Sequence, residues 1–173
     1  MARDAASQSR PGRAMLVRPG PGRAPRPGRM QEDSQMQTSF TVATRGPGFH
    51  EITREVAAWV AAQDCRDGLL TLLIRHTSAS LLIQENADPE VKQDLRAYFE
   101  RLVPPSDHPS MSYLTHVYEG PDDMPGHIKA ALLPVSLSIP VHGGRMQLGT
   151  WQGIYVVEHR RAPHRREVAA HLG

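Results

Sequence analysis

The chain has 173 residues, with 20 Lys and Arg against 18 Asp and Glu and a formal net charge of +2; this length holds one domain, or one domain and a tail, and excludes a multidomain machine. The charge is unevenly divided: residues 1–30 carry seven Arg and one acid, a net of +6, while residues 31–173 carry 13 Lys and Arg against 17 Asp and Glu, a net of −4. A mildly acidic body argues against nucleic-acid binding as its main business.

Residues 1–34 read as a disordered tail rich in Arg, Pro and Gly. Stretches such as Arg18-Pro19-Gly20-Pro21-Gly22-Arg23 have no apolar surface to bury and oppose both helix and strand ladder. An alternative starts the natural chain at Met30 or Met36. The tail lacks the apolar core of a signal peptide, so a reducing cytoplasm is the expected compartment. No apolar run reaches the roughly 18 residues of a membrane span. The lone cysteine, Cys65, excludes an intramolecular disulfide and a cysteine-based zinc cluster, and reads as an incidental thiol.

Residues 35–173 read as a single domain. Thr38, Phe40, Val42 and Thr44 alternate as in an opening strand, and Gly46-Pro47-Gly48 marks a turn. Ile52, Val56, Trp59 and Val60 fall on one face of a helix over about 51–63. The apolar run Leu69–Ile74 predicts a central strand and Leu81–Ile83 a second, short one, joined by the polar stretch Arg75–Ser80. Asp88-Pro89 combines an N-cap acid with proline at the first helical position, opening a helix that runs to Pro104. Its apolar face is Val91, Leu95, Tyr98, Phe99 and Leu102.

Residues 106–125 read as polar loop, and Pro125 opens a short helix through Leu133 with Ile128, Ala131 and Leu132 inward. Four strands follow at about 135–141, 144–149, 152–159 and 165–171, the first pair joined by a hairpin turn at His142-Gly143-Gly144. Strands clustered late, without strict βα alternation, indicate an α+β fold with antiparallel sheet. The expected count is six to eight strands and two or three helices.

Of nine histidines, three stand among dense polar groups: His76, His116 and His127. Three convergent neutral imidazoles could hold a divalent metal. Their spacing matches no local ligand motif, so three separately hydrogen-bonded histidines is the alternative. Glu85, Glu119, Asp122 and Asp123 could orient imidazoles or bind Mg²⁺ directly, or the Asp pair could serve as ordinary helix-start acids. Thr77, Ser78 and Ser80 offer hydroxyls to a phosphate or other anion, and turn chemistry competes with that reading. Lys129 is one of two lysines beside 18 arginines and is a candidate phosphate contact or proton-transfer group. Gly149-Thr-Trp-Gln-Gly153 suggests a close backbone approach to a ligand or a neighbouring subunit, or a β-bulge. In Glu158-His159-Arg160 the outer two residues share a face, with an exposed charged edge as the plain reading.

Taken in order, His76-Thr-Ser-Ala-Ser80, Glu85-Asn86, Asp88-Pro89, Glu119-Gly120, Asp122-Asp123-Met124-Pro125, His127-Ile128-Lys129, Gly149-Thr-Trp-Gln-Gly153 and Glu158-His159-Arg160 resemble the YjbQ family over about residues 36–172. The resemblance implies an α+β, mainly antiparallel β sandwich that assembles as a homotrimer. Members are often labelled secondary thiamine-phosphate synthase. That label implies joining a pyrimidine diphosphate to a thiazole phosphate with release of pyrophosphate. The resemblance implies a divalent metal, Mg or Zn, on His76, His116 and His127. It further implies phosphate contacts from Thr77, Ser78 and Lys129, and catalytic roles for Glu119, Asp122, Asp123 and Lys129. A non-catalytic trimer that binds a metal or small anion stands beside this enzymatic reading.

Overall fold

The computed structural model describes residues 36–173. The tail read over 1–34 lies outside the described residues. Among those described, eight strands and three α-helices form an α+β fold in which every strand pairing is antiparallel. Strands β1 (Met36–Ala43), β3 (Gly68–Ile74), β5 (Ser136–His142), β6 (Arg145–Met146) and β8 (Arg165–Leu172) form one sheet, ordered β1-β8-β3-β5-β6. Strands β2 (Gly48–Glu51), β4 (Ala79–Glu85) and β7 (Gln152–Glu158) form the second, with β7 central. One core joins them: Leu70, Leu72 and Ile74 of β3 and Val168 and Leu172 of β8 pack with Leu81 of β4 and Ile154 and Val156 of β7. Helix α1 (Thr53–Ala61) adds Val56 and Val60 to that core. No described helix is long and apolar enough to cross a membrane.

The alternation expected for β1 holds, and the loop after it carries one strand more than the pattern predicts. Residues 48–51 pair with β7 rather than beginning the helix, because the backbone at Phe49 and His50 finds partners at Val157 and Val156. The second short strand extends to Ala79–Glu85 for the same reason: each of its residues is in register with β7. The hairpin turn behaves as predicted. Gly143 and Gly144 have φ of +58° and +73°, the left-handed pair that a two-residue turn between His142 and Arg145 requires. The strand expected over 144–149 is only two residues long.

Helix α2 (Pro89–Leu102) begins where Asp88-Pro89 predicts, and Asp88 Oδ1 accepts from the Glu90 N–H at 2.8 Å. Its apolar stripe, however, is not core: no residue of α2 is fully buried, and Tyr98 and Leu102 are 59% and 51% exposed. Helix α3 (Asp123–Leu132) starts two residues before the proline and buries a different face from the predicted one. Asp123, Pro125, Gly126 and Ala130 are inward, while Leu132 is 58% exposed. The helix crosses the ends of β4 and β7 closely. A Cβ at Gly126 would lie 3.3 Å from Arg160 Cδ and 3.4 Å from Ser78 Cβ.

Gly153 is closely approached by side chains of its own chain. A Cβ there would lie 2.9 Å from Glu51 Oε1 and 3.1 Å from both Asn86 Cβ and Tyr155 Cε2. Gly153→Ala is therefore expected to destabilise the chain by about 1–3 kcal/mol through overpacking. Urea denaturation of the variant measures this directly, and an unchanged midpoint would contradict it.

Candidate metal centre

Helix α3 presents Asp123 and His127 one turn apart, i and i+4, on the same side. The loop before it returns His116 to that side; Gly120 turns the loop with φ of +101°. Ligand atoms of His116, Asp123 and His127 lie within 4.8 Å of one another. Asp123 is buried, with Oδ2 2.9 Å from His116 Nε2 and 3.4 Å from His127 Nε2. Its other oxygen accepts from Arg160 Nη1. Arg160 also donates through Nε to Asp122 Oδ2 at 3.2 Å and through Nη2 to the Glu119 carbonyl at 3.2 Å. One guanidinium thus fixes the loop and both acids.

The donor set suits a divalent ion. His127 Nδ1 lies 3.0 Å from the Thr77 carbonyl oxygen, which can only accept, so the ring donates through Nδ1. In the neutral ring the Nε2 lone pair then faces the Asp123 carboxylate. Two acceptors at that distance call for a positive charge between them, either a ring proton or a metal ion. A backbone carbonyl that fixes the tautomer is the usual support of a metal-bound imidazole.

His76 does not join this group. Its Nε2 accepts from the Glu167 N–H at 2.8 Å, and burial, aided by Arg166, lowers its pKa and keeps the ring neutral. It does line, with Thr77, Ser78 and His127, an open hollow of about 660 Å³ beside the cluster. Thr77 is exposed there, whereas Ser78 is buried and its Oγ accepts from Arg166 Nη2 at 3.2 Å. Glu119 is 67% exposed, with Oε1 3.9 Å from His116 Nε2. Glu85 contributes its carbonyl to the Tyr155 hydroxyl.

Asp122 and Lys129 stand elsewhere. Asp122 occupies the N-cap position of α3 without capping it. Its Oδ2 accepts instead from the Arg161 N–H at 2.7 Å and from Arg160. Burial pushes this carboxyl up, but those donors outweigh it and hold it below the usual range. Lys129 lines a separate pocket with His159 and Arg161, and burial lowers its pKa, with Glu100 opposing.

Glu158-His159-Arg160 is no exposed edge: Glu158 is 1% and His159 6% exposed. Arg166 binds Glu158 in bidentate fashion, Nη2 to Oε1 at 2.6 Å and Nε to Oε2 at 2.7 Å, and Thr44 Oγ1 donates to Oε2 at 2.7 Å. Burial raises the Glu158 pKa, yet Arg166, the Arg160 N–H and Thr44 together bring it below its ordinary value. Burial, reinforced by the charge of Lys129, lowers His159 to about 4, and its Nε2 shares a 2.9 Å hydrogen bond with Ser80 Oγ.

The residues that sequence reasoning missed are Arg166 and the structural role of Arg160. A signal for Arg166 existed: it is in phase with Val168, Ala170 and Leu172 on the inward side of β8.

A family model described as "UPF0047 protein YjbQ-like" matches residues 38–173. A UPF0047 protein of Synechocystis is 46% identical over 138 residues, covering 80% of this chain and 91% of that protein. The UPF0047 protein YjbQ of Escherichia coli O157:H7 is 44% identical over 137 residues, covering 79% and 96%. Among solved structures, a conserved hypothetical protein of Thermus thermophilus matches with a TM-score of 0.68 at 34% identity, covering 79% of this chain and 99% of that one.

Proposed function

Because the chain belongs to the YjbQ-like UPF0047 family, we propose that it binds a divalent metal at His116, Asp123 and His127 and acts there on a small phosphorylated substrate. The observation that carries this reading is the convergence of the three ligand atoms within 4.8 Å, with the His127 tautomer set by Thr77. The metal, when bound, would supply positive charge to a departing phosphate or diphosphate. Around it, Thr77 offers a hydroxyl at the hollow, Arg160 holds Asp123 in place, and His76 keeps a neutral ring at the rim.

Thiamine-phosphate synthesis is the reaction to test first. In it the bond from the pyrimidine methylene to the diphosphate oxygen breaks, a bond from that carbon to the thiazole nitrogen forms, and pyrophosphate leaves. The homotrimer belongs to the same reading. Its support is the outer face of the five-stranded sheet, where Leu69 and Leu73 of the middle strand are each 45% exposed.

A non-catalytic metal-binding trimer is the second reading. What favours it is that the one serine hydroxyl nearest the hollow is turned inward to Arg166. Elemental analysis and pyrophosphate release, measured together, separate the two. The native chain is expected to retain metal. Asp123→Asn and His127→Ala are expected to lose about 100-fold or more in metal affinity, since even supporting residues of such sites cost about 10–100-fold. Metal without turnover would favour the second reading; native protein that takes up no divalent ion would sink both.

A further inference from the structure

A second concavity lies on the other side of α3. Asp122, Pro125 and Lys129 face it, three to four residues apart, whereas Asp123 and His127 face the metal cluster. The pocket holds about 190 Å³ between α2, α3 and the Pro47 turn. Its apolar walls are Pro47, Val103, Pro105 and Pro125. An adjoining recess shares Pro47, Glu100, Lys129 and His159 and extends along α2 to Phe99. Helix α2, with no fully buried residue, is thus the outer wall of a cleft rather than part of the core.

The charges in this pocket are unequally satisfied. The Asp122 carboxylate takes two donors, from Arg160 and the Arg161 N–H, and Glu100 takes Arg96 Nε at 3.1 Å. Buried His159 is neutral at physiological pH. Among the described residues, no hydrogen bond or ion pair engages Lys129 Nζ or the Arg161 guanidinium. Two cations with unused donors therefore face a cavity whose remaining lining is four apolar residues and three polar ones, Glu100, Asp122 and His159, that already have partners. Convergent polar groups in an apolar concavity are the ordinary form of a small-molecule site.

We propose that this pocket is a metal-independent binding site for a small phosphate monoester. The phosphate dianion sits between Lys129 and Arg161, where charge-assisted hydrogen bonds match its oxygens. The carbon body lies against Pro47, Val103, Pro105 and Pro125. The volume is below the roughly 300–1,000 Å³ of sites for drug-sized ligands, which limits that body to a single ring or short chain. None of the lining groups is a ligand of the His116–Asp123–His127 cluster, so this site stands or falls apart from that reading.

Isothermal titration of the full chain with phenyl phosphate tests it. With divalent ions removed by EDTA, saturable binding is expected, weakened about ten-fold or more in Lys129→Met and in Arg161→Ala; one lost charge-assisted hydrogen bond accounts for that factor. Inorganic phosphate, which leaves the apolar walls unused, is expected to bind more weakly by a similar factor. Arg161 is exposed, so its replacement reports on binding even where Lys129→Met compromises folding. Absence of saturable binding in EDTA, or undiminished binding in Arg161→Ala, would each overturn the proposal. Equal affinity for inorganic phosphate and phenyl phosphate would overturn it as well.

Discussion

Replacing Arg166 with methionine is expected to destabilise the folded chain by about 3–5 kcal/mol, the range for breaking a buried ion pair from one side. Arg166 is 4% and Glu158 1% exposed, so neither charge has water to fall back on. Removing the guanidinium leaves a carboxylate with the Thr44 hydroxyl and the Arg160 N–H as its hydrogen-bond donors and His164 Nδ1 at 3.7 Å. It also frees the Ser78 carbonyl and hydroxyl, which Arg166 Nη2 holds at 3.3 and 3.2 Å. Ser78 follows Thr77, whose carbonyl orients His127, so metal content should fall together with stability. Urea denaturation and elemental analysis of Arg166→Met read the two effects. In the double variant Glu158→Leu with Arg166→Met, the stranded charge is gone and much of the stability should return. A loss below about 1 kcal/mol in the single variant would show that the pair does not support the fold.

Acid should weaken the fold well before ordinary carboxylates titrate. An unfolded histidine takes its proton near 6.5, while burial holds His159 to about 4 in the folded chain. Between those values the unfolded state binds a proton that the folded state does not, so stability rises with pH across the window. The contribution is complete above about 6.5 and gone below about 4. A shift of that size corresponds to about 3 kcal/mol, as an order of magnitude. Glu158, whose folded pKa lies below its ordinary value, adds a loss of the same sign at lower pH. His159→Gln keeps a partner for Ser80 and removes the titration. Stability measured at pH 7.5 and pH 4.5 should therefore differ by about 3 kcal/mol less in this variant than in the native chain. An identical acid slope in the two proteins would rule His159 out as the cause.

The fold was largely legible because its signals are local. Alternation in β1, the Asp88-Pro89 start of α2 and the double glycine of the β5–β6 turn each depend on a few adjacent residues. Face assignments failed where packing partners come from afar. The inward side of α3 follows from Gly126 lying against Ser78 and Arg160. The stripe on α2 suggested a core contact, yet none of its residues is fully buried, and Phe99 lines a recess beside α3.

The candidate site was legible in its residue types and only partly in its grouping. His116, Asp123 and His127 were all singled out, and the structure brings them together; His76 is engaged by Glu167, 91 residues away. Lys129, two residues after His127, points into another pocket because one helix turn cannot place i and i+2 on the same side.

By itself, then, the sequence determined the α+β class, the helix and turn positions, the family likeness and the small set of residues able to do chemistry. Period, capping and turn preference are short-range properties and can be read along the chain. Only the tertiary structure decided that Arg166 pairs with Glu158 and Ser78, that the polar residues divide between two faces of α3, and that one histidine ring has its lone pair turned toward a buried carboxylate. Those outcomes depend on contacts between segments dozens of residues apart, such as His127 to Thr77 and Arg166 to Ser78, at separations of 50 and 88 residues. Packing sets the direction of each side chain there, and no local pattern encodes it.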